Sequence, residues 1–320
     1  MEETRRIDLE TCAQMLKQAQ DVLVYTHLRP DGDTTGSAAA LCYSLRKAGK
    51  KAYVLHNADL TPRYEPIVSA LYPPEGFTAG FVIAVDTADV SLLCANPEGQ
   101  AFDLVIDHHV TNTNYARYNY VCGNVSSTGE AVYDALVTAG LPVDGEILRA
   151  LFISVSTDTG CFRYSNTTSR AHVIAANAIE AGVDTSTLTR IFFEDKSRAR
   201  FELERLMLDQ LEFYNEGRIV VVTVTLDMLE QTQATDDDMD NISAIARQIN
   251  GVDAGVTIFE KCGFCKISLR TSHAVNASDI CFSLGGGGHA RAAGCRIDGD
   301  VGNAKKTVLE ALGRYFALSE

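Results

Sequence analysis

Four short stretches of this 320-residue chain carry carboxylates and imidazoles at spacings that chemistry could use. His27 is followed by Arg29-Pro30-Asp31-Gly32-Asp33, and Asp86 stands in AVDTAD. Asp107, His108 and His109 are consecutive, and Asp158 lies in STDTG. Gathered in one place, Asp31, Asp33, Asp86, Asp107 and Asp158 would repel strongly. Two unit charges ~4 Å apart at an effective dielectric near 20 cost about 4 kcal/mol. Either several stay protonated or cations neutralise them. Carboxylates mixed with imidazoles suit Mn, and less well Zn, Fe or Mg. Two divalent ions ~3.5 to 4 Å apart form a clamp for phosphoester hydrolysis. Asp31 and Asp33 flank Gly32, and a tight loop is expected to point them at neighbouring ions. A single Asp after a strand more often caps a helix or closes a turn. The joint pattern H-x-x-x-D-x-D, a lone Asp, D-H-H and D-T-G points instead to a metal centre.

The elements that must position these residues alternate. Residues 22–26 (VLVYT), 81–85 (FVIAV) and 104–106 read as short buried strands. Helices are expected over 36–47 and 128–139, the second opening on a capping box of Ser127 and Glu130. Leu148, Leu151, Phe152 and Val155 recur at helical spacing. Strands alternating with helices predict a parallel sheet. Ligands of such sheets bind at the carboxyl ends of the strands, where His27, Asp86 and Asp107 fall. Residues 184–217 are charged and helical in pattern and read as a linker. Beyond it we expect a strand over 219–226, a helix over 241–249 and paired strands over 255–260 and 266–270. A helix over 276–284, a glycine run, a strand near 294–297 and a helix over 303–318 complete the pattern. The expected fold class is α/β: a parallel-sheet lobe over 1–185, a helical linker over 186–216 and a smaller α/β lobe over 217–320.

The second lobe offers an anion site. Four glycines, 285–288, remove every Cβ, so backbone N–H groups can approach an anion. Such a run also marks flexible loops, but His289 and Arg291 beside it and Arg270 upstream favour binding. Arg163 either reaches a phosphate from the edge of the metal site or forms a surface ion pair. Cys262-Gly263-Phe264-Cys265 has metal-ligand spacing but no second pair, so a hairpin turn is expected. The acidic run 236–240 reads as a solvated loop or helix start. His56, His172 and His273 have no evident partner.

Composition excludes several classes. With 28 basic and 42 acidic residues the net charge is −14, against a protein that coats long DNA or RNA. A local cluster can still hold a small anion. The longest apolar run, 219–226, is broken by Thr223 and Thr225 and falls far short of the ~18 to 20 residues a bilayer needs. The opening MEETRRIDLE lacks an apolar signal region, and nine scattered cysteines form no disulfide framework. A cytoplasmic protein with no membrane partner is expected.

HLRPDGDTTGS, AVDTAD, DHHVTN and STDTGCFRYSNTT resemble the four motifs of the DHH phosphoesterase family. SLRT followed by GGGGHARAAG resembles the DHHA1 domain that accompanies it in many members. The resemblance spans nearly the whole chain. It is nearest to the stand-alone nanoRNases and pAp phosphatases, Mn-dependent enzymes that degrade very short oligonucleotides and often remove the 3′-phosphate of adenosine 3′,5′-bisphosphate (pAp). It implies that His27 and Asp31 bind one metal, that Asp33, His108 and Asp158 bind the other, and that Asp86 bridges them. Asp107 would orient an imidazole, and His109 would face the phosphate. Arg270, Gly286, Gly287, Gly288 and His289 would hold the substrate from the second lobe, across a cleft from the metals. Ser272 is placed with them, although Thr271-Ser272-His273 departs from the family pattern, which has a Ser directly after the Arg.

The implied cofactors are two divalent ions, with Mn favoured. The implied partner is a short oligonucleotide or nucleotide such as pApA, not a long nucleic acid, and a homodimer is common in that group. A cyclic-dinucleotide phosphodiesterase shares the motifs. A processive single-strand exonuclease does too, but usually carries extra nucleic-acid-binding domains. An inorganic pyrophosphatase lacks a GGGGH loop of this kind, and a nucleotide-binding regulator would have lost metal ligands, of which none is missing.

Overall fold

A computed structural model describes residues 4–95, 100–235, 237–239, 242–272 and 275–319. The chain divides into two compact units at Asp195 and Lys196. In the first unit the strands are β1 (Arg5–Arg6), β2 (Val22–Tyr25), β3 (Ala52–Val54), β4 (Phe81–Val85), β5 (Leu104–Asp107) and β6 (Tyr118–Val121). The helices are α1 (Leu9–Gln18), α2 (Gly32–Lys47), α3 (Glu65–Val68), α4 (Thr128–Ala139), α5 (Gly145–Asp158), α6 (Ser169–Glu180) and α7 (Thr185–Thr189).

The six strands form one parallel sheet in the order β1-β6-β5-β4-β2-β3. Alternation along β4 explains why it is buried on both sides. Ile83 and Val85 enter the large core under the helices, while Val82 and Ala84 meet Tyr25, Leu93 and Phe102 on the opposite face. The strand order reverses between β2 and β4, and such a switch opens a ligand crevice at the carboxyl ends.

Helix α2 begins four residues earlier than the sequence pattern indicated. Asp31 is its N-cap, accepting the N–H groups of Asp33 and Thr34, so Asp31 and Asp33 sit on a helix start rather than a free loop. The small residues of α2 are needed by its close crossing with α5. A Cβ on Gly36 would stand 2.5 Å from the Ala150 carbonyl oxygen, and one on Gly32 would stand 2.4 Å from the Thr157 side chain. The expected capping box on α4 is half formed. Ser127 accepts the Glu130 N–H, but the Glu130 carboxylate turns to the N–H and hydroxyl of Ser126.

The second unit holds α8 (Arg198–Leu208), β7 (Glu212–Tyr214), β8 (Ile219–Val224), α9 (Leu226–Thr232), β9 (Ala254–Lys261), β10 (Phe264–Thr271), α10 (Ala277–Ser283), β11 (Gly287–His289), β12 (Ala292–Asp298) and α11 (Val301–Ser319). Its mixed sheet runs β11-β12-β10-β9-β8-β7. The stretch read as a linker divides between the units. Leu188 and Phe192 pack into the first core, whereas Leu203 and Met207 of α8 pack against Val220 and Val222 of β8. Residues Ile242–Gln248 form a 3-10 helix rather than an α-helix, and it packs against β9. Gly255 admits the Ala246 backbone there, at 2.8 Å from where a Cβ would be. Asn241 lies outside the described residues.

Cys262 and Gly263 form the two-residue turn between β9 and β10, with Gly263 at φ +80°. Cys262 is exposed and Cys265 buried, and neither joins a metal-competent cluster among the described residues. The acidic run is not simply solvated. Asp238 is buried and accepts from Ser197 Oγ, Thr235 N and Thr235 Oγ1, while Asp236 and Asp240 lie outside the described residues. The glycine run is not an open loop either, because β11 pairs antiparallel with β12. A Cβ on Gly286 would meet the Gly294 oxygen at 2.2 Å, and one on Gly288 the Ala292 oxygen at 2.7 Å. Among the described residues no helix is long and apolar enough to cross a membrane, and the nine cysteines are free thiols.

Candidate active site

The carboxyl ends of three adjacent strands deliver the acidic and imidazole groups. His27 follows β2, Asp86 follows β4, and Asp107-His108-His109 end β5. Because β4 lies between β2 and β5, Asp86 stands between the groups from either side. Its backbone is left-handed, at φ +53°, a conformation Asp tolerates better than most residues. Asp31 and Asp33 arrive from the α2 start and Asp158 from the last residue of α5.

Two sets of ligand atoms converge on Asp86. On one side His27 Nε2 stands 3.8 Å from Asp31 Oδ1 and 3.6 Å from Asp86 Oδ2. On the other, His108 Nε2 stands 3.8 Å from Asp33 Oδ2, 3.6 Å from Asp86 Oδ1 and 3.9 Å from Asp158 Oδ2. His109 Nδ1 also comes within 3.7 Å of Asp86 Oδ1. The candidate ligand atoms lie within 4.8 Å of one another in each of three groups: His27, Asp31 and Asp86; Asp33, His108 and Asp158; and Asp86, His108 and His109. His27 Nδ1 bonds the Leu28 carbonyl at 2.7 Å, which leaves Nε2 as the ligand atom, as in metal-bound histidines.

The electrostatics set buried like charges against one another. Burial and the charges of Asp86, Asp158 and Asp31 push Asp33 well above the usual carboxylate range. Burial, Asp86 and Asp31 do the same to Asp158, which keeps 31% of its side chain open to solvent. Burial lowers His27, but the neighbouring Asp31 and Asp86 outweigh it and hold the imidazole well above its ordinary value. Burial also lowers His108, here with no net rescue. Hard oxygens with one imidazole per set, and buried like charges needing neutralisation, fit a pair of divalent ions.

Binding must displace protons from Asp33, Asp158 and His27, whose pKa values all lie above their ordinary values. Affinity for Mn²⁺ should therefore rise as the pH rises, with proton release. Calorimetry in two buffers of different ionisation enthalpy checks this, and pH-independent affinity would contradict it.

Residues 21–155 match the family model described as DHH family, N-terminal domain, and residues 216–317 match the DHHA1 domain. The bifunctional oligoribonuclease and PAP phosphatase NrnA of Thermus thermophilus is 30% identical over 305 residues, covering 94% of this chain and 92% of that protein. The chain belongs to the DHH family. The protein of the same name from Bacillus subtilis is 25% identical over 290 residues, covering 86% of this chain and 89% of its own. A crystal structure of an exopolyphosphatase-related protein from Bacteroides fragilis shares the fold, with a TM-score of 0.86 at 20% identity over 97% of each chain.

Behind the clusters the DHH unit holds a layer of donors that motif reading did not single out. Asp33, 2% exposed, accepts from Ser154 Oγ at 2.5 Å, Ser37 Oγ at 3.2 Å, Thr128 N at 2.8 Å and Gly129 N at 3.1 Å. Gly129 has to be glycine, since a Cβ would fall 1.9 Å from Ser154 Oγ. Asp107 accepts from the N–H groups of His108 and His109, from Asn112 Nδ2 at 2.6 Å and from His109 Nδ1 at 2.8 Å. Those bonds outweigh burial and hold Asp107 below its ordinary value. Burial pulls His109 down, yet its bond to Asp107 and the charge of Asp86 raise it to about 9. Asn166 donates to Asp158 Oδ2 at 3.2 Å and to the Ser126 carbonyl at 2.9 Å. Arg163 Nε donates to the Gly160 carbonyl, which directs the guanidinium along the segment after Asp158. His172 stacks on Phe162 and His56 lies against Tyr72, neither belongs to a metal-competent group, and His273 is outside the described residues.

In the DHHA1 unit, strand register aligns the candidate substrate residues. His289 pairs with Ala292, and Ala292 pairs with Arg270, so the three form one row across β11, β12 and β10. The next row on that face is Gly287, Gly294 and Ser268. Directly paired residues share a face, and strands lie about 4.8 Å apart. Arg270 and His289 thus flank a floor of Ala292, Gly294 and Gly287. Ser272 donates its hydroxyl to Asp253 at 2.8 Å. Arg291 bonds the carbonyls of Ser272 and Val275, which holds that loop to the end of β12.

Proposed function

We infer that this DHH protein is a metal-dependent phosphoesterase that hydrolyses very short oligonucleotides to mononucleotides and removes the 3′-phosphate of pAp. The observation that carries the reading is the pair of ligand clusters sharing Asp86. It is supported by whole-length similarity to relatives named for both activities. His27 and Asp31 would hold one divalent ion, Asp33, His108 and Asp158 the other, and Asp86 both. Bound there, the ions supply Lewis-acid stabilisation of charge building on the phosphoryl oxygens. His109, kept protonated near neutral pH by Asp107, presents Nε2–H to the same oxygens. Free thiols throughout accord with a reducing cytoplasm.

The DHHA1 face would hold the rest of the substrate. Arg270 and His289 would supply donors for a terminal phosphate, and Gly287 keeps the floor between them low enough for a backbone to approach, whereas Gly286 and Gly288 are glycines that the close pairing with β12 requires. Ser272, bonded to Asp253, sets the loop beside them, and Arg163 would serve a phosphate held at the DHH clusters.

Replacing Arg270 or His289 by alanine should raise KM about 10- to 100-fold, the worth of a charge-assisted hydrogen bond. Bound metal should stay unchanged. Metal loss in either variant would contradict the division of roles. The activity itself is tested with Mn²⁺ and 5′-labelled oligomers of about two to twenty-four nucleotides, with pAp and cyclic dinucleotides alongside. Turnover of the dimer and pAp supports the reading, and turnover of cyclic dinucleotides alone would replace it.

A further inference from the structure

Asp86 faces both clusters, yet a carboxylate on one flexible bond has no intrinsic preference for the plane that serves both. The group that sets this plane lies behind it. Thr128, the first residue of α4 and fully buried, donates its hydroxyl to Asp86 Oδ1 at 3.0 Å. Its backbone N–H meanwhile donates to Asp33 Oδ2 at 2.8 Å. One residue thereby touches the carboxylate shared by both clusters and a carboxylate found in only one. Among the described residues the hydroxyl makes no other bond. The oxygen it holds faces His108 and His109 at 3.6 and 3.7 Å, and the opposite oxygen faces His27 at 3.6 Å.

We propose that Thr128 is a positioning residue whose hydroxyl sets the plane of the Asp86 carboxylate, so that each oxygen serves one metal site. This rests on the two-metal reading above. The helix start contributes in two separable ways. The main-chain N–H groups of Thr128 and Gly129 hold Asp33 whatever the side chain, while only the hydroxyl holds Asp86. Without it the carboxylate is free to turn, and at least one site loses its shared ligand.

The test compares Thr128→Val, which keeps shape and N–H but removes the donor, with Thr128→Ser, which restores the donor. Metal-stripped full-length protein is titrated with Mn²⁺ by calorimetry, with melting curves to confirm folding. Thr128→Val should weaken at least one Mn²⁺ site by about 10- to 100-fold, the usual effect of losing a group that orients a ligand. Thr128→Ser should recover wild-type affinity. On a phosphorylated dinucleotide at saturating Mn²⁺, kcat should fall in the valine variant with KM little changed. If Thr128→Val fails to fold, Thr128→Ala carries the same comparison. Two sites of wild-type affinity in the valine or alanine variant, or a serine variant no better than valine, would overturn the proposal. Failure of the wild-type protein to bind Mn²⁺ would overturn the two-metal reading and this inference with it.

Discussion

Asp86→Ala should abolish turnover while leaving the protein folded. Asp86 faces both His27 and His108, at 3.6 Å each, so on the two-metal reading its loss removes a ligand from both sites together. Losing a catalytic metal costs several kcal/mol of transition-state stabilisation, and each ~1.4 kcal/mol is a factor of ten. A fall in kcat of about a thousandfold or more is therefore expected, with bound Mn²⁺ dropping in elemental analysis. Alanine at φ +53° is strained by about 1 to 2 kcal/mol, so Asp86→Asn should accompany it. Asparagine tolerates this backbone and keeps the size of the side chain. Removing a negative charge from a repelling cluster should also leave metal-free stability intact or raised. Near wild-type activity in both variants, with melting curves unchanged, would defeat the two-metal assignment.

Rate should peak on substrates of roughly two to four nucleotides and fall steeply by about ten. The net charge of −14 opposes a long polyanion. On the proposed reading the clusters and a few basic groups would attract phosphate only locally, so each further phosphate should gain no contact and add no affinity. For single strands the salt slope is about −0.7 per phosphate neutralised, so one or two contacts predict a slope no steeper than about −1.4. Measuring kcat/KM against length at two salt concentrations tests both statements. A steady rise with length and a steep salt dependence would favour a processive exonuclease.

How much of this was legible in the sequence varies by element. The extent of β4 and α4, a hairpin turn within 262–265 and the strand-end placing of His27, Asp86 and Asp107 follow from apolar runs and punctuation that act locally, although β10 begins at Phe264, inside that stretch. The N-terminal limit of α2 did not, because Gly32, Thr34, Thr35 and Gly36 are poor helix formers. Only the Asp31 cap and the close approach of α5 make that turn helical. The edge strand β11 was equally hidden. Four glycines carry no periodicity, and pairing with β12 is what orders three residues across their end.

The composition of the site was thus written in the chain, as residue types at strand ends. Its arrangement was decided by the tertiary structure. Strand order places β4 between β2 and β5, and that sets the Asp86 carboxylate between His27 and His108. Order in a parallel sheet depends on how helices pack across its faces, which no local pattern encodes. The supporting donors were hidden for a related reason. Ser154 and the Thr128 hydroxyl are short polar groups with many local fates, and only their carboxylate partners, 121 and 42 residues away along the chain, reveal the one each adopts.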